Sequence, residues 1–227
     1  KKDKTTATFY TSGKFLLQSN DEENFYNEFL KVFFAADKKI FPRIGTDESG
    51  KGDYFGPLII CGVCIENERQ EELLIKAGVR DSKDLNEKKI YELSDLIRAN
   101  VHGSIIKIHP EKYNELIEKM PNLNSLMGWG HAKAIENILE KINCEYALSD
   151  KFGKDEYIVN ALLEKGKKIR LEQKTKAESD TAVAAASIMA RAEFLKAMKA
   201  LSEKYSMSIP RGAGPAVLIA RDDFLKK

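Results

Sequence analysis

Acidic residues stand where predicted strands end and where the longest predicted helix begins. Asp47 and Glu48 are adjacent at the end of one short strand, and Asp150 closes a later strand. Glu178 and Asp180 come just before or at the start of a long alanine-rich helix. Functional groups in open α/β sheets gather at the carboxyl ends of strands, so these carboxylates are predicted to converge. Their oxygens suit Mg²⁺ or Mn²⁺, and two such ions can drive phosphodiester cleavage.

Most acids in a chain of this composition have commoner roles than metal binding. The chain contains 35 acidic residues, so a helix cap, a turn or a solvated surface charge accounts for most of them better than a metal site does. Asp180 competes with Glu178 for a place among these carboxylates, although an Asp at a helix start is also a natural N-cap. Two nearby acids, Asp53 and Asp155, are predicted to be structural or to lie outside a direct ligand set.

The loop after the first two acids is rich in glycine. It runs Ser49-Gly50-Lys51-Gly52, and its glycines would let the backbone approach a ligand while its amides face phosphate oxygens. The loop is not a P-loop, because Gly-x4-Gly-Lys-[Ser/Thr] is absent. It does not contain the dinucleotide-binding pattern Gly-x-Gly-x-x-Gly either. The common nucleotide-binding loops are therefore excluded at this position.

Composition is typical of a globular protein without membrane spans. A net charge of +2 neither indicates nor excludes nucleic acid, since a local basic patch can be balanced elsewhere. No run approaches the ~18 apolar residues of a membrane helix. Cys61 and Cys64 have CxxC spacing but lie inside an apolar run, so buried strand cysteines are the favoured interpretation over a zinc or redox site. Three cysteines without a signal peptide predict a reducing cytosol.

Strands alternate with helices along most of the chain, which predicts an α/β sheet covered on both faces. Strands are predicted over 44–48, 58–65, 102–109, 145–149 and 168–173, and helices over 70–77, 86–99, 110–119, 126–142 and 180–204. An earlier segment is predicted to hold a hairpin over 7–18 and an amphipathic helix over 22–34. These elements are too few for an independent core. The predicted organisation is an N-terminal segment, residues 1–36, and a main domain, residues 42–227.

Residues 47–57 resemble the first motif of the type 2 ribonucleases H. Their Gly-Lys-Gly followed by Asp-Tyr-Phe-Gly-Pro is similar to the ribonuclease HIII type. Further matches follow in order at 80–85, 109–114, 122–132, 149–152, 174–191 and 210–214. Residues 9–18 resemble the end of the TATA-binding-protein-like domain that precedes the nuclease in that type. The resemblance implies a ribonuclease H-like mixed sheet flanked by helices, preceded by a partial TATA-binding-protein-like α+β segment.

The resemblance also implies a reaction. It identifies Asp47, Glu48, Asp150 and Glu178 as the catalytic and metal-binding acids, with two divalent ions, Mg²⁺ or Mn²⁺. The expected activity is hydrolysis of the RNA strand of RNA/DNA hybrids, leaving 5′-phosphate and 3′-hydroxyl ends. Lys51 stands where the ribonuclease HII type has arginine, which favours cleavage within runs of ribonucleotides. The expected enzyme is a cytoplasmic monomer without membrane contact.

A set of eight residues is predicted to contact nucleic acid: Ser49, Gly50, Lys51, Gly52, Ser82, Lys83, Lys174 and Lys176. The Gly-Lys-Gly backbone is expected to sense a 2′-hydroxyl. Simpler roles stay open for some of the set, since Ser82 could cap a helix and the lysines could be solvated. Arg191 and Arg211 are weaker phosphate candidates, and the three histidines, His102, His109 and His131, are predicted to be structural.

Two other classes of function compete with the nuclease. A non-catalytic nucleic-acid-binding module could keep the same fold, but loss of one of the four acids would favour it, and all four are present. A small-molecule phosphatase or kinase could use an α/β sheet, but the missing P-loop and the missing phospho-acceptor motif argue against it.

Overall fold

The chain divides into two compact units, residues 1–40 and 41–227. The computed structural model describes residues 6–9, 15–18, 39–80 and 82–226. In the first unit, β1 (Thr6–Phe9) pairs antiparallel with β2 (Phe15–Gln18), which confirms the predicted strand pairing. The helix predicted over 22–34 lies outside the described residues. The resemblance of this unit to a TATA-binding-protein-like domain stays a prediction.

The described part of the second unit is built on one mixed sheet. Its strands are β3 (Arg43–Ser49), β4 (Leu58–Ile65), β5 (His102–Ile108), β6 (Tyr146–Asp150) and β7 (Arg170–Lys174). They lie in the order β5-β4-β3-β6-β7. β4 runs antiparallel to both of its neighbours, whereas β6 runs parallel to β3 and to β7. The central strand β3 therefore carries its acids to an edge that it shares with the end of β6.

Helices flank this sheet. They are α1 (Glu68–Ala77), α2 (Glu87–Asn100), α3 (Pro110–Lys119), α4 (Leu123–Leu139), α5 (Glu156–Val159), α6 (Thr181–Tyr205) and α7 (Pro215–Phe224). The short helix α5 has no predicted counterpart, and the largest shift of a predicted helix is that of α4, which begins and ends three residues earlier. It begins early because the Asn122 side chain accepts a hydrogen bond from the Ser125 amide and caps the helix. Among the described residues, no helix is both long enough and apolar enough to cross a bilayer.

Strand β4 is buried on both faces, as its continuous apolar run predicts. Alternate residues such as Ile59 and Cys61 pack in the cluster that contains α6. The residues between them face the other way, and Cys64 packs in the cluster that contains α4. Cys61 and Cys64 therefore point to opposite faces of the sheet. They cannot share a metal ion or form a disulfide with each other, which confirms the interpretation as buried strand cysteines.

The start of α6 lies directly on β3 because β3 has a glycine there. A Cβ atom on Gly45 would lie 2.2 Å from the backbone carbon of Ala182 and from the backbone nitrogen of Val183. Real Cβ contacts are essentially never that short, so only glycine allows this approach. The alanine-rich first turns of α6 then pack flat against β3 and β4. This contact brings α6 beside Asp47, two residues after Gly45.

A buried arginine in β3 links this strand to α1 and to the start of α6. Arg43 is 2% exposed; its Nη2 donates to Glu71 Oε1 at 2.6 Å and its Nε donates to Asp180 Oδ2 at 2.9 Å. The arrangement ties β3 to α1 and to the residue that caps α6. Since both carboxylates compensate the buried guanidinium, loss of either would leave uncompensated charge in the core.

Candidate active site

One cavity collects the four predicted catalytic acids. It measures about 180 Å³ and is lined by Asp47, Glu48, Ser49, Ser82, Lys83, Asp150, Glu178, Ser187 and Arg191. Asp47 and Asp150 meet because β3 and β6 are parallel neighbours. The Ala177 amide donates to Asp150 Oδ1 at 3.2 Å, which fixes the short turn Ala177–Ser179, carrying Glu178, to the end of β6. A larger cavity of about 730 Å³ lies at the other end of β6 and β7, and its lining mixes Lys, Arg and Glu with Leu and Ile.

Asp47 is the most electrostatically perturbed acid of the cavity. Its burial, together with the charges of Glu48 and Asp150, raises the pKa of Asp47 to about 7. Hydrogen bonds from the Ser187 hydroxyl and from the Glu48 amide, the latter at 2.8 Å, act in the opposite direction. The buried carboxylate therefore favours a proton near neutral pH. A divalent cation would satisfy the same negative charge, so the donor set fits a hard metal ion.

Glu48 behaves differently from its neighbour. Burial alone would raise the pKa of Glu48, but the His131 ring and the Lys51 ammonium group outweigh it and hold that pKa below its ordinary value. Lys51 Nζ lies 3.7 Å from Glu48 Oε1, and His131 Nε2 lies 3.4 Å from Glu48 Oε2. The two adjacent acids therefore differ in protonation. Glu48 is ionised at neutral pH, whereas Asp47 favours a proton that a bound cation would replace.

The acids share a cavity without forming a closed ligand set. Among the residues that the structure describes, no group of three His, Cys, Asp or Glu side chains has the geometry of a finished metal site. Like charges repel one another in a buried space, so carboxylates spread apart unless a cation lies between them. Side-chain rotation must therefore accompany metal binding.

The two rivals for the fourth acid have different surroundings. Asp180 Oδ1 accepts a hydrogen bond from the Ala182 amide at 2.8 Å, and its Oδ2 accepts the Arg43 bond. Both of its oxygens are therefore engaged in capping α6 and in the buried ion pair. Glu178 instead lines the cavity. This geometry supports Glu178 as the fourth acid and gives Asp180 a structural task.

The glycine-rich loop folds back sharply after β3. Gly50 has φ +91°, and a Cβ atom there would lie 2.3 Å from the Pro57 carbonyl oxygen, so the turn requires glycine. Lys51 and Gly52 are exposed, while Ser49 lines the cavity. The loop thus presents backbone and a lysine at the mouth of the site, where the predicted 2′-hydroxyl contact would be made.

The loop is also fastened to the C-terminal motif. The Tyr54 amide donates to the Gly212 carbonyl at 2.9 Å, and the Gly212 amide donates to Asp53 Oδ1 at 2.5 Å. Asp53 is therefore structural, as the sequence predicts. We call these two hydrogen bonds of Gly212 the latch. Arg211, the residue before Gly212, pairs with Glu87 at 2.9 Å. Gly212 therefore holds Asp53 and Tyr54, the residues that directly follow the glycine-rich loop.

The remaining predicted nucleic-acid contacts fall into two groups. Ser82 and Lys83 line the cavity; Ser82 is buried with its Oγ 2.8 Å from Ser187 Oγ, and Lys83 is exposed. Lys174 and Lys176 are exposed but do not line it, and Lys174 pairs with Glu172 at 2.9 Å. The structure therefore brings Ser82 and Lys83 to the acids and leaves the other two lysines on the surrounding surface.

Comparison with known proteins decides the family. A family model described as ribonuclease HII matches residues 44–227, which include all four cavity acids. The chain belongs to the ribonuclease HII family. It is 40% identical to ribonuclease HIII of Chlamydia pneumoniae over 98% of this chain and 78% of that relative. It is 39% identical to ribonuclease HIII of Protochlamydia amoebophila (strain UWE25), over 98% of this chain and 76% of the relative.

Solved structures of ribonucleases HIII share the fold. Bst-RNase HIII in complex with Mn²⁺ aligns with a TM-score of 0.75 and 27% identity, over 96% of this chain and 77% of that one. Aquifex aeolicus RNase H3 aligns with a TM-score of 0.68 and 31% identity, over 95% and 79%. The predicted ribonuclease H-like mixed sheet flanked by helices is confirmed. As a member of the ribonuclease HII family, the chain is an endoribonuclease H, a hydrolase that acts on RNA paired with DNA.

The assignment of the fourth acid in this ribonuclease predicts opposite phenotypes for two conservative substitutions. Glu178→Gln is expected to lower hybrid cleavage by at least ~10²-fold with an unchanged melting temperature, because it removes a cavity charge and no structural contact. Asp180→Asn is expected to keep cleavage within ~10-fold but to cost about 1–3 kcal/mol of stability, because it weakens the Arg43 pair. Cleavage rates and thermal melts of both variants check this. Loss of cleavage in Asp180→Asn with normal melting would reverse the assignment.

Proposed function

We propose that this chain hydrolyses the RNA strand of RNA/DNA hybrids by a two-metal mechanism, leaving 5′-phosphate and 3′-hydroxyl ends. The observation that carries the proposal is the convergence of Asp47, Glu48, Asp150 and Glu178 in one small cavity. Burial raises the pKa of Asp47 to about 7, as expected for a carboxylate placed to meet a cation. The Mn²⁺ complex of the similar Bst-RNase HIII supports a divalent metal.

The four acids, Asp47 among them, would hold two divalent ions, Mg²⁺ or Mn²⁺, through their carboxylate oxygens. When bound, the ions would supply an activated water and positive charge at the leaving 3′ oxygen. The chain orients these ligands itself. The Ser187 hydroxyl and the Glu48 amide fix Asp47, and the Ala177 amide fixes Asp150. No protein nucleophile is required, and Cys61, Cys64 and Cys144 are buried in the core.

Substrate selection falls to the groups at the rim of the cavity. Lys83 and Arg191 place positive charge beside the acids, where a phosphate of the cleaved strand would lie. The backbone of Gly50, Lys51 and Gly52 would read the 2′-hydroxyl that distinguishes RNA from DNA. Lys51 in place of arginine supports a preference for runs of ribonucleotides over a single embedded one. Ser82, Lys174 and Lys176 complete the proposed contact surface.

The proposal also covers the domain organisation, the cellular compartment and the oligomeric state. Residues 1–36 would form a partial TATA-binding-protein-like segment, and residues 42–227 the catalytic domain. The three described cysteines are free and buried, which supports a reducing compartment such as the cytosol. A monomer remains the expected state.

A cleavage assay on three end-labelled duplexes tests the proposal. The duplexes are a full RNA/DNA hybrid, DNA with one embedded ribonucleotide, and plain DNA. Each is incubated with Mg²⁺, with Mn²⁺ or with chelator, beside the Asp150→Asn variant and the exposed control Lys226→Gln. We expect metal-dependent cleavage of the hybrid, weak cleavage at the single ribonucleotide, and none of plain DNA. Asp150→Asn should lose activity and the control should keep it.

The assay separates the parts of the proposal. Strong incision at the single ribonucleotide would keep the metal mechanism and overturn the preference for ribonucleotide runs. Cleavage that persists in chelator or in Asp150→Asn would overturn the two-metal mechanism. A hybrid that is bound and never cleaved would favour the non-catalytic binding module.

A further inference from the structure

We propose that His131 is a positioning residue that holds the Glu48 carboxylate in place for metal binding. The inference rests on the proposed function and concerns a residue that the sequence analysis predicts to be merely structural. His131 lies in the middle of α4, 0% exposed, yet it faces the end of β3. Its ring lies beside two residues of β3, Thr46 and the cavity acid Glu48.

The His131 ring is fixed on two sides. Its Nδ1 lies 2.9 Å from Thr46 Oγ1, and Thr46 is itself fully buried in β3. Its plane stacks on Phe152 with ring centroids 4.9 Å apart and an angle of 17° between the rings. Phe152 in turn lies under Lys51 Nζ, which is 5.5 Å from that ring centroid. A ring held in this way has little freedom to rotate.

The second ring nitrogen points at the catalytic acid. His131 Nε2 lies 3.4 Å from Glu48 Oε2 and has no hydrogen-bond partner of normal geometry among the described residues. The neighbouring Glu48 carboxylate favours the tautomer that carries its proton on Nε2. In the other tautomer, the lone pair of Nε2 would face the carboxylate oxygen. The Thr46 hydroxyl then donates to Nδ1. A buried N–H without a partner is unfavourable, so a small rotation of Glu48 that shortens this contact is favoured.

The chain makes room for this arrangement. Gly130 precedes His131, and a Cβ atom on Gly130 would lie 2.1 Å from Ile60 Cδ1. The end of the buried Ile60 side chain thus occupies the space beside Gly130, where α4 packs on β4. Neighbouring buried residues of α4, such as Ile135 and Ile138, are apolar and pack in the core. An apolar residue at position 131 would fill the same volume without burying polar atoms, so packing alone does not explain a histidine.

Three variants and one control test the inference. His131→Leu keeps volume and removes both nitrogens, His131→Gln keeps an N–H near the Nε2 position, and Thr46→Val removes the hydroxyl that fixes the ring. Ile135→Val, one turn along the same buried helix, is the matched control for packing. Each protein is titrated with Mn²⁺ in a calorimeter without nucleic acid. The Mn²⁺ dependence of hybrid cleavage is measured separately.

We expect His131→Leu to weaken Mn²⁺ binding by ~10–100-fold, the usual cost of losing a partner that orients a metal ligand. The Mn²⁺ concentration for half-maximal cleavage should rise in parallel, while the KM for the hybrid stays unchanged. His131→Gln should recover most of the affinity, and Thr46→Val should show a smaller loss. Effects of Thr46→Val and His131→Leu should not add, because both act through one ring. Ile135→Val should match wild type.

Unchanged Mn²⁺ affinity in a folded His131→Leu protein would overturn the inference. If that variant does not fold, unchanged Mn²⁺ affinity in Thr46→Val would overturn it equally. Failure of the proposed function is a different result, namely a wild-type protein that binds Mn²⁺ but does not cleave the hybrid. A calorimetric loss in the variants would then still support the positioning role.

Discussion

Replacing Asp47 with asparagine is expected to abolish hybrid cleavage and to stabilise the metal-free protein at neutral pH. The loss of cleavage should be on the order of 10³-fold or more, since Asp47 is a proposed ligand of the divalent ions. The gain in stability has a separate cause. Asp47 is buried beside Glu48 and Asp150, and this environment penalises its ionised form. Asparagine fills the same space and has no charge to bury.

The direction of the pH effect follows from linkage. Burial raises the pKa of Asp47 from 3.8 to about 7. Between these values the folded chain keeps a proton that the unfolded chain has lost, so the free energy of unfolding falls as pH rises. The contribution is fully present below pH ~4 and is lost above pH ~7, and it amounts to about 4 kcal/mol. Mn²⁺ or Mg²⁺ should offset the loss by binding the ionised form.

Thermal melts at pH 5 and pH 8, in chelator and in Mn²⁺, check this prediction. In chelator the wild type should lose more stability between these pH values than Asp47→Asn does. Mn²⁺ should raise the wild-type melting temperature at pH 8 more than that of the variant. Asp155→Asn is the matched control, because Asp155 is an exposed acid that pairs with Lys151 at 3.7 Å. Equal pH slopes in wild type and Asp47→Asn would contradict the buried-charge account.

Gly45→Ala is expected to cost about 3 kcal/mol or more, at the upper end for overpacked cores. The added Cβ atom would meet backbone atoms of Ala182 and Val183 at 2.2 Å, and backbone cannot rotate away as a side chain can. The start of α6 must therefore move off the sheet. Ser187 on α6 bonds to Asp47, so the same shift should lower cleavage in the protein that remains folded.

Urea unfolding and cleavage rates measure the two effects of Gly45→Ala. The control is Gly214→Ala, because an added Cβ atom there meets nothing within 4 Å and the backbone φ is −81°. The control should stay within ~0.5 kcal/mol of wild type. If Gly45→Ala were as stable as the control, the close approach of α6 to β3 would not constrain the fold.

Local sequence patterns are sufficient for most of the fold. The apolar run of β4 and the patterns of α1, α2 and α6 predict elements within about two residues of their observed bounds. The predicted start of α4 is wrong because residues 123–125 are only partly buried and include two polar side chains, and the Asn122 cap marks the observed start. The order of the strands in the sheet is harder to predict from the sequence, because the pairing of β3 with β6 joins residues that are far apart in the chain.

The residues of the site likewise differ in how far the sequence alone predicts them. The adjacent acids and the glycine-rich loop follow from short motifs, and Asp180 can be suspected as a cap from its place before α6. His131 and Ser187 cannot be recognised as neighbours of the acids from their own segments. Their roles depend on which face of α4 and α6 meets β3, a tertiary register that no local pattern encodes. A histidine in a stretch of α4 whose other buried residues are mostly apolar is the signal that could have drawn attention to His131.

The latch between Asp53 and Gly212 spans 159 positions of the chain. The cavity likewise needs β3 to pair with β6 and to receive α6. Contacts of such long sequence separation carry a large loop-closure entropy and slow the folding rate. We therefore expect the cavity to be completed late when the chain folds. Recovery of cleavage after dilution from denaturant reports the finished topology, whereas circular dichroism also registers helices formed earlier.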